Sequence, residues 1–433
     1  MHRERATLGD WLDRIERAHP AEIELGLERT ARVAARMGIA SPAATVITVA
    51  GTNGKGSCVA VMEQLLLAAG KRVGAYTSPH LRHYNERVRL QGRAVDDAAL
   101  CAAFAAVERA RGETPLTYFE FGTLAALEIF RHARLDFLLL EVGLGGRLDA
   151  VNIIDADVAV ISSIQIDHTD WLGKDRETIA GEKAGIFRSR SPVVCADRNP
   201  PQALYRAAGS LEAPWFGIGA QFDAWRNASG EWCWRGTDRA GLAFRREGLP
   251  PPQLLAGNVA AALQALLLCD IALDRTMLAS VLPSITLAGR FQQCRLRGID
   301  CVLDVAHNLA ATEVLAARLA EQAPAGRTAV VFAAMRDKDI EAMLAVLAGY
   351  ASVWFLPQLH ASRAAPAADV VRRLEALAGK VSVQCCADVG VAMDHALATL
   401  QRGDRLVVCG SFHTVGPALE WLDQQDGING DRF

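Results

Sequence analysis

Residues 46 to 70, VITVAGTNGKGSCVAVMEQLLLAAG, run from a β-branched apolar segment through a glycine-rich turn bearing one lysine and into an apolar-periodic helix. Val46, Ile47 and Val49 favour a strand, while Gly51, Gly54 and Gly56 allow the tight turn and close approach that bulkier residues forbid. The helix is expected to begin near Ser57. Free N–H groups and the positive dipole end at a helix start form an anion site, and Lys55 adds a point charge beside it, so a phosphate chain fits there. The loop departs twice from the usual G-x-x-x-x-G-K-[ST] pattern: Val49 stands where the first glycine belongs, and Gly56 separates Lys55 from Ser57. It reads as a phosphate loop in preference to a glycine-rich strand-to-helix turn with a solvated lysine, but not as a standard Walker A loop.

The 433 residues are 51% hydrophobic, with formal net charge −3 and mean hydropathy +0.13. That is enough for a sizeable core in two or three domains. Interspersed charge of both signs gives no footprint for nucleic acid, and no basic amphipathic stretch points to a membrane surface. The N-terminus, MHRERATLGDWLDRIERAHP, lacks the apolar core of a signal peptide, and no apolar run is long enough to span a bilayer. The ten cysteines are scattered without a C-x-x-C and read as reduced thiols, with Cys58 as a packing residue. A cytoplasmic enzyme is the expectation.

Two differently organised regions follow. Strands are expected at 46–50, 72–76, 135–142, 158–164 and 192–196, separated by long motif-bearing loops. A Trp-rich, turn-rich stretch between about 203 and 250 contains NASGEWCWRGTD, which reads as a hairpin on an appendage to the main sheet. From about 290 onward strands and helices alternate regularly: DCVLDVA, TAVVFAAM, SVWFLP, VSVQC and RLVVCGS, each followed by a helix. This is the pattern of a doubly wound sheet. LPSITLAGRFQ, 282 to 292, has linker composition, so the expected domains are 1–287 and 288–433.

Ligands of such sheets lie outside the carboxyl ends of the strands. There the first domain offers Ser78 in YTSPHL, Glu141 in LLLEVGLGGRLDAVN, and Asp167 with His168 in IQIDHTDWLG. A hydroxyl, a carboxylate and an imidazole could hold a divalent cation that bridges nucleotide phosphates; the imidazole fits Mn²⁺ or Zn²⁺ as well as Mg²⁺. Each residue alone has a bland alternative as turn, loop or structural hydrogen-bonder, and it is the shared position that argues for a site. GLGGR lacks the third glycine of a dinucleotide fingerprint, because Leu148 stands there. Lys183 lies near the C-terminal end of a short helix, where it suits the helix dipole; another role requires a depressed pKa. The second domain places Asp304 and His307, and Ser411 and His413, at strand ends, which reads as a second binding surface facing the first domain.

Together these segments carry a resemblance. GTNGKGS, SPHL, LTYFEFGTL, LEVGLGGRLDAVNI, DHTDWLG, EKAGIFR, GRFQ, DVAHN and VCGSFHTV stand in order from residue 51 to 415. The chain resembles the Mur-ligase-like ATP-dependent amide ligases, and within them the bifunctional dihydrofolate synthase/folylpolyglutamate synthases. The resemblance implies a P-loop-type Mur-ligase central α/β domain followed by a smaller Rossmann-like C-terminal domain.

It also implies roles. Gly51, Thr52, Asn53, Gly54, Lys55, Gly56 and Ser57 would cradle ATP, with Asn258, Arg290 and Asp304 on the nucleotide and Arg290 in the linker. Ser78, Glu141 and His168 would hold two Mg²⁺ ions. Lys183 would be carried as a carbamate, which needs a neutral amine and hence a lowered pKa. The pterin would lie against Glu24, Leu25, Gly26 and Leu27, against Thr117, Tyr118, Phe119 and Glu120, and against Leu148, Asp149 and Ala150. His307, Ser411 and His413 would bind near the reacting carboxylate or the incoming glutamate, with Lys55, Lys183 and His307 in the chemistry.

The implied activity is ligation of L-glutamate to dihydropteroate and to the γ-carboxylate of reduced folates, through an acyl phosphate shielded as the domains close. A monomer is expected, with no nucleic acid or membrane partner. Three rivals differ in kind. A cell-wall Mur ligase resembles its relatives in carrying a whole domain ahead of the loop, where only 50 residues stand here. A folylpolyglutamate synthase alone would lack activity on dihydropteroate. A nucleotide-binding switch would turn over ATP without glutamate.

Overall fold

The computed structural model describes residues 6–19, 23–379, 381–426 and 431–432. The chain divides into two compact units, Met1–Ile285 and Thr286–Phe433.

In the first unit, β1 (Thr45–Ala50) is the centre of an eight-stranded sheet with β2 (Val73–Tyr76), β3 (Val88–Leu90), β4 (Arg93–Ala94), β5 (Phe137–Glu141), β6 (Val158–Ile161), β7 (Val193–Cys195) and β8 (Trp215–Gly217). The spatial order is β4-β3-β2-β5-β1-β6-β7-β8, with β2 to β8 parallel to β1 except for the antiparallel pairs at the β3 and β4 edge. The central strands are buried along their length, as expected of a parallel sheet covered on both faces. Register places Val49 opposite Glu141 and Ala50 opposite Ile161. The carboxyl ends of β1, β5 and β6 therefore lie level, and the loops leaving them meet.

The helix after β1 starts at Lys55, two residues before the expected Ser57, because Gly54 occupies the cap position with φ +89°. β6 stops at Ile161 although the apolar pattern runs to residue 164; Ser162, Ser163 and Gln165 bond instead to the phosphate loop, and Ile164 N donates to Asp197. The Trp-rich segment is an antiparallel three-stranded sheet of β9 (Asp223–Arg226), β10 (Trp232–Thr237) and β11 (Ala243–Leu249). Buried Trp234 donates from Nε1 to Ala260 O at 3.2 Å, and Gln264 exchanges two bonds with the Thr237 backbone. The appendage thus props the helix Ala256–Leu267.

The second unit is a seven-stranded sheet of β12 (Gln292–Leu296), β13 (Ile299–Leu303), β14 (Thr328–Phe332), β15 (Val353–Pro357), β16 (Val383–Cys386), β17 (Arg405–Cys409) and β18 (Asp431–Arg432), in the order β16-β15-β14-β17-β13-β12-β18. Five strands are parallel, and β12 and β18 add an antiparallel edge. β12 begins where the sequence reads as linker. It forms a hairpin with β13 across Arg297 and Gly298, both at positive φ (53° and 80°), the conformation of a tight two-residue turn.

Candidate active site

The loop Gly51–Gly54 is bound down by the segment that leaves β6. Thr52 N donates to Ser163 O at 2.8 Å, Asn53 N to Ser163 Oγ at 3.0 Å, and the hydroxyls of Ser162 and Ser163 both donate to Asn53 O. Thr52 Oγ1 and Gln165 exchange two further bonds. Glycine is required twice. A Cβ at Gly51 would come within 1.9 Å of Ser162 Oγ, and one at Gly54 within 2.5 Å of Asn258 Oδ1. Asn258, expected at the nucleotide, therefore presses against the loop from the helix Ala256–Leu267. Ser162 and Ser163 were not singled out from sequence; two hydroxyls just beyond a strand neighbouring the loop strand were the available signal. Cys58 is buried, with its thiol pushed up to about 12 by burial and by nearby Glu141, and it packs as expected.

Two lysines converge on one carbonyl. Lys55 Nζ donates to Gly51 O at 3.1 Å and to Thr52 O at 3.2 Å, and Lys183 Nζ donates to the same Gly51 O at 3.1 Å. Lys183 is 4% exposed in the last turn of the helix Arg176–Ala184. Burial first, and the Lys55 charge second, lower its pKa to about 7, against the pull of Asp167 and Asp149. A substantial fraction of this amine is neutral at physiological pH, which an exposed lysine cannot match. Helix-dipole stabilisation alone does not account for such an environment.

Glu141 is buried at the end of β5, and its Oε2 accepts from Ser78 N at 3.2 Å. Ser78 and Glu141 are thus neighbours. His168 lies beyond β6 on a loop rather than at the strand end, at positive φ, capping the short helix Thr169–Leu172. Its backbone N–H donates to Asp167 Oδ1 at 2.8 Å. Among the described residues no three His, Cys, Asp or Glu side chains converge as a metal-ligand cluster. The donors here instead suit a hard cation: a buried carboxylate beside a serine, the oxygen ligands that such an ion takes along with water and phosphate oxygens. On that chemistry, and on the glycine cradle beside two lysine nitrogens, the residues fit a metal-bound nucleotide.

The elements expected around the pterin are also assembled within this unit. The Phe119 ring lies so close to Gly143 that a Cβ there would meet it at 2.6 Å, and Gly146 abuts the backbone of Glu182 and Lys183. The GLGGR turn therefore links the 117–120 segment to the lysine helix. Several expected contact residues have structural duties. Thr117 and Glu120 form a capping box on the helix Tyr118–Arg131, and Glu120 also binds Arg29 Nε and Thr30 Oγ1, each at 2.8 Å. Asp149 accepts from Leu144 N at 2.8 Å and Val151 N at 3.1 Å, while burial raises its pKa to about 6. Glu24 binds Arg29. Leu25 and Leu27 are partly buried before the helix Glu28–Met37, Gly26 has open space around it, Leu148 is partly buried and Ala150 is buried. Tyr118 lies beneath the Arg87 guanidinium, which also covers Tyr84 and donates from Nε to His80 Nδ1 at 2.8 Å. Arg87 carries no motif in the sequence that marks it.

In the second unit, Arg290 covers the Phe412 ring at 5.1 Å, and the His307 ring lies 5.8 Å from the same phenylalanine. Asp304 accepts from Phe291 N at 2.7 Å and Ala306 N at 2.8 Å; burial raises its pKa while Arg290 opposes the rise. Ser411 is buried, with its hydroxyl bonded to Thr414 N and Thr414 Oγ1 at the start of the helix Phe412–Asp426, a capping role. His413 lines a groove of about 510 Å³ with Gln358, His360, Asp388 and Trp421.

The strand–loop–helix, the paired lysines and the second α/β unit define a Mur-type ligase: the Mur ligase middle domain matches residues 49–228, and the Mur ligase glutamate ligase domain matches residues 289–412. The dihydrofolate synthase/folylpolyglutamate synthase of Escherichia coli K12 is 43% identical over 416 residues, 96% of each chain. A structure of E. coli FolC in complex with DHPP and ADP superposes with TM-score 0.91 at 41% identity, covering 97% of this chain and 99% of that one. A bifunctional folylpolyglutamate synthase/dihydrofolate synthase with Mn, AMPPNP and L-glutamate bound gives TM-score 0.88 at 41% identity, covering 96% and 98%. The chain belongs to the dihydrofolate synthase/folylpolyglutamate synthase family of ATP-dependent ligases. The two-domain Mur-ligase fold expected from sequence is the fold found.

Proposed function

We propose that this protein joins L-glutamate to the carboxylate of dihydropteroate and to the γ-carboxylate of reduced folates, at the expense of ATP and through an acyl phosphate. The observation that carries the reading is the meeting of Lys55 and Lys183 on the Gly51 carbonyl, beside Glu141 and Ser78, in a chain of this family.

A carboxylate is a poor acceptor because oxide cannot leave. Phosphorylation converts it to an acyl phosphate; the glutamate amine then attacks the carbonyl carbon and phosphate departs. A divalent cation supplies charge neutralisation on the phosphates when bound, with two Mg²⁺ assigned to Ser78, Glu141 and His168. Loop N–H groups and Lys55 hold the phosphates and offset charge as the phosphoryl group moves. The low pKa of Lys183 keeps a neutral amine available to add to CO₂, which with loss of one proton would give a carbamate, an anion that could serve the divalent cation as an oxygen ligand. Arg290, Asp304 and Asn258 are assigned to the nucleotide, and His307 and His413 to the glutamate side. Phe119, Tyr118 and Leu148 offer apolar surface to the pterin; Glu120, Thr117, Asp149 and Ser411 act by holding the backbone that presents it or its counterpart. The working enzyme is a cytoplasmic monomer.

The acyl phosphate has a direct test. With ¹⁸O in the dihydropteroate carboxylate, one labelled oxygen passes to the released phosphate and the folate product keeps the other. Unlabelled phosphate alongside product formation excludes the mechanism.

A further inference from the structure

The hairpin of β12 and β13 carries Arg290 before its first strand and Asp304 after its last, joined where Phe291 N donates to Asp304. The turn at Arg297 and Gly298 fixes the register, with Leu296 opposite Ile299 and Cys294 directly opposite Cys301. Residues two apart on a strand share a face, so both thiols lie with Leu296 and Ile299 on the buried side. Cys301 is 1% exposed, and Cys294 is only partly covered. Cys301 Sγ donates to Ile299 O at 3.8 Å, and the neighbouring Cys294 thiol together with burial holds the proton on Cys301. Directly opposed residues on antiparallel strands have Cα atoms about 4.5 to 5.5 Å apart, within the range that disulfides span. Nothing in the ligase chemistry uses either sulfur.

We propose that Cys294 and Cys301 are a thiol-redox modification site that closes reversibly to a cross-strand disulfide on reaction with a small-molecule disulfide. Cys294, the more accessible sulfur, attacks the reagent as thiolate, forming a mixed disulfide and releasing one thiolate. Cys301 then gives up its proton, and its sulfur attacks that of Cys294 and expels the second thiolate. Two protein thiols are oxidised, one reagent disulfide is reduced to two thiols, and the two protons end on the released sulfurs. The strands are already paired, so the two cysteines stand side by side in the sheet before closure. The site clamps the hairpin that holds Arg290 and Asp304 together.

The test treats the full-length protein with oxidised glutathione, blocks remaining thiols with iodoacetamide, and maps tryptic peptides by mass. Cleavage after Arg295 and Arg297 separates the two cysteines, so a bond between them appears as a linked peptide pair two hydrogens lighter than the sum of the reduced forms. The expected result is that pair, lost on treatment with dithiothreitol, and in Cys301→Ser a glutathione adduct retained on Cys294. Alkylation of both residues in the treated wild type, or a glutathione adduct persisting on Cys294 of the wild type without the linked pair, overturns the proposal.

Discussion

Lys55 and Lys183 approach one backbone oxygen, each at 3.1 Å, yet their environments differ. Lys55 sits at the open mouth of a helix, partly exposed, as a phosphate partner must. Lys55→Ala is expected to lower kcat/KM for ATP-dependent ligation by about 100-fold or more, the scale of removing one electrostatic donor from a site of developing charge; near-normal turnover contradicts the assignment. Lys183→Ala is expected to lose activity and regain part of it with added short carboxylic acids.

Its titration gives an independent check. The folded protein binds fewer protons than the unfolded chain between about 7 and the ordinary lysine value of 10.5, so this amine's penalty on stability is complete below pH 7 and shrinks as pH rises. In bicarbonate-free buffer Lys183→Met should melt above wild type at pH 6.5, with the gap narrowing toward pH 9. A gap independent of pH refutes the lowered pKa.

Short structural elements decide which polar residues face ligands. The Glu120 carboxylate is committed to Arg29, Thr30 and Thr117 N, so Glu120→Ala takes the acceptor from the buried Thr30 hydroxyl and from a helix cap, while the partly exposed Arg29 keeps Glu24. It is expected to cost about 2 kcal/mol in denaturant unfolding, with little change in the folate KM of the folded fraction; a raised KM at unchanged stability would make Glu120 a ligand. The same principle sets what the sequence discloses. The phosphate loop was legible because glycines and a lysine between a β-branched run and a helix have few other uses. Ser411 beyond β17 and Asp149 in the loop after β5 are polar residues too, but their oxygens accept local backbone N–H bonds, a competition invisible without the fold. Ser162 to Ile164 read as strand because they continue the apolar, β-branched run of VAVI; the hydroxyls of Ser162 and Ser163 found the loop instead. The hairpin from 292 to 303 was missed at its first strand because Gly289, Arg290 and Gln292 read as linker.

Both α/β units follow from periodicity alone, since buried parallel strands leave unbroken apolar runs. What periodicity cannot give is the order of strands, here with β5 between β2 and β1, which brings Glu141 and Ser78 into register with the phosphate loop. No described helix is long and apolar enough to cross a membrane. Because the proposed metal site draws on Ser78, Glu141 and His168, chelation with EDTA should abolish turnover, and Mg²⁺ or Mn²⁺ should restore it. Full activity after exhaustive chelation removes the metal from the account. Most direct is ADP release by the purified protein with Mg²⁺, ATP and glutamate, using dihydropteroate or tetrahydrofolate as acceptor and identifying products by mass. Glutamate-dependent turnover with both acceptors, each product heavier by one glutamyl residue, is the predicted result; ADP release that ignores glutamate, with no glutamylated product, would contradict a ligase.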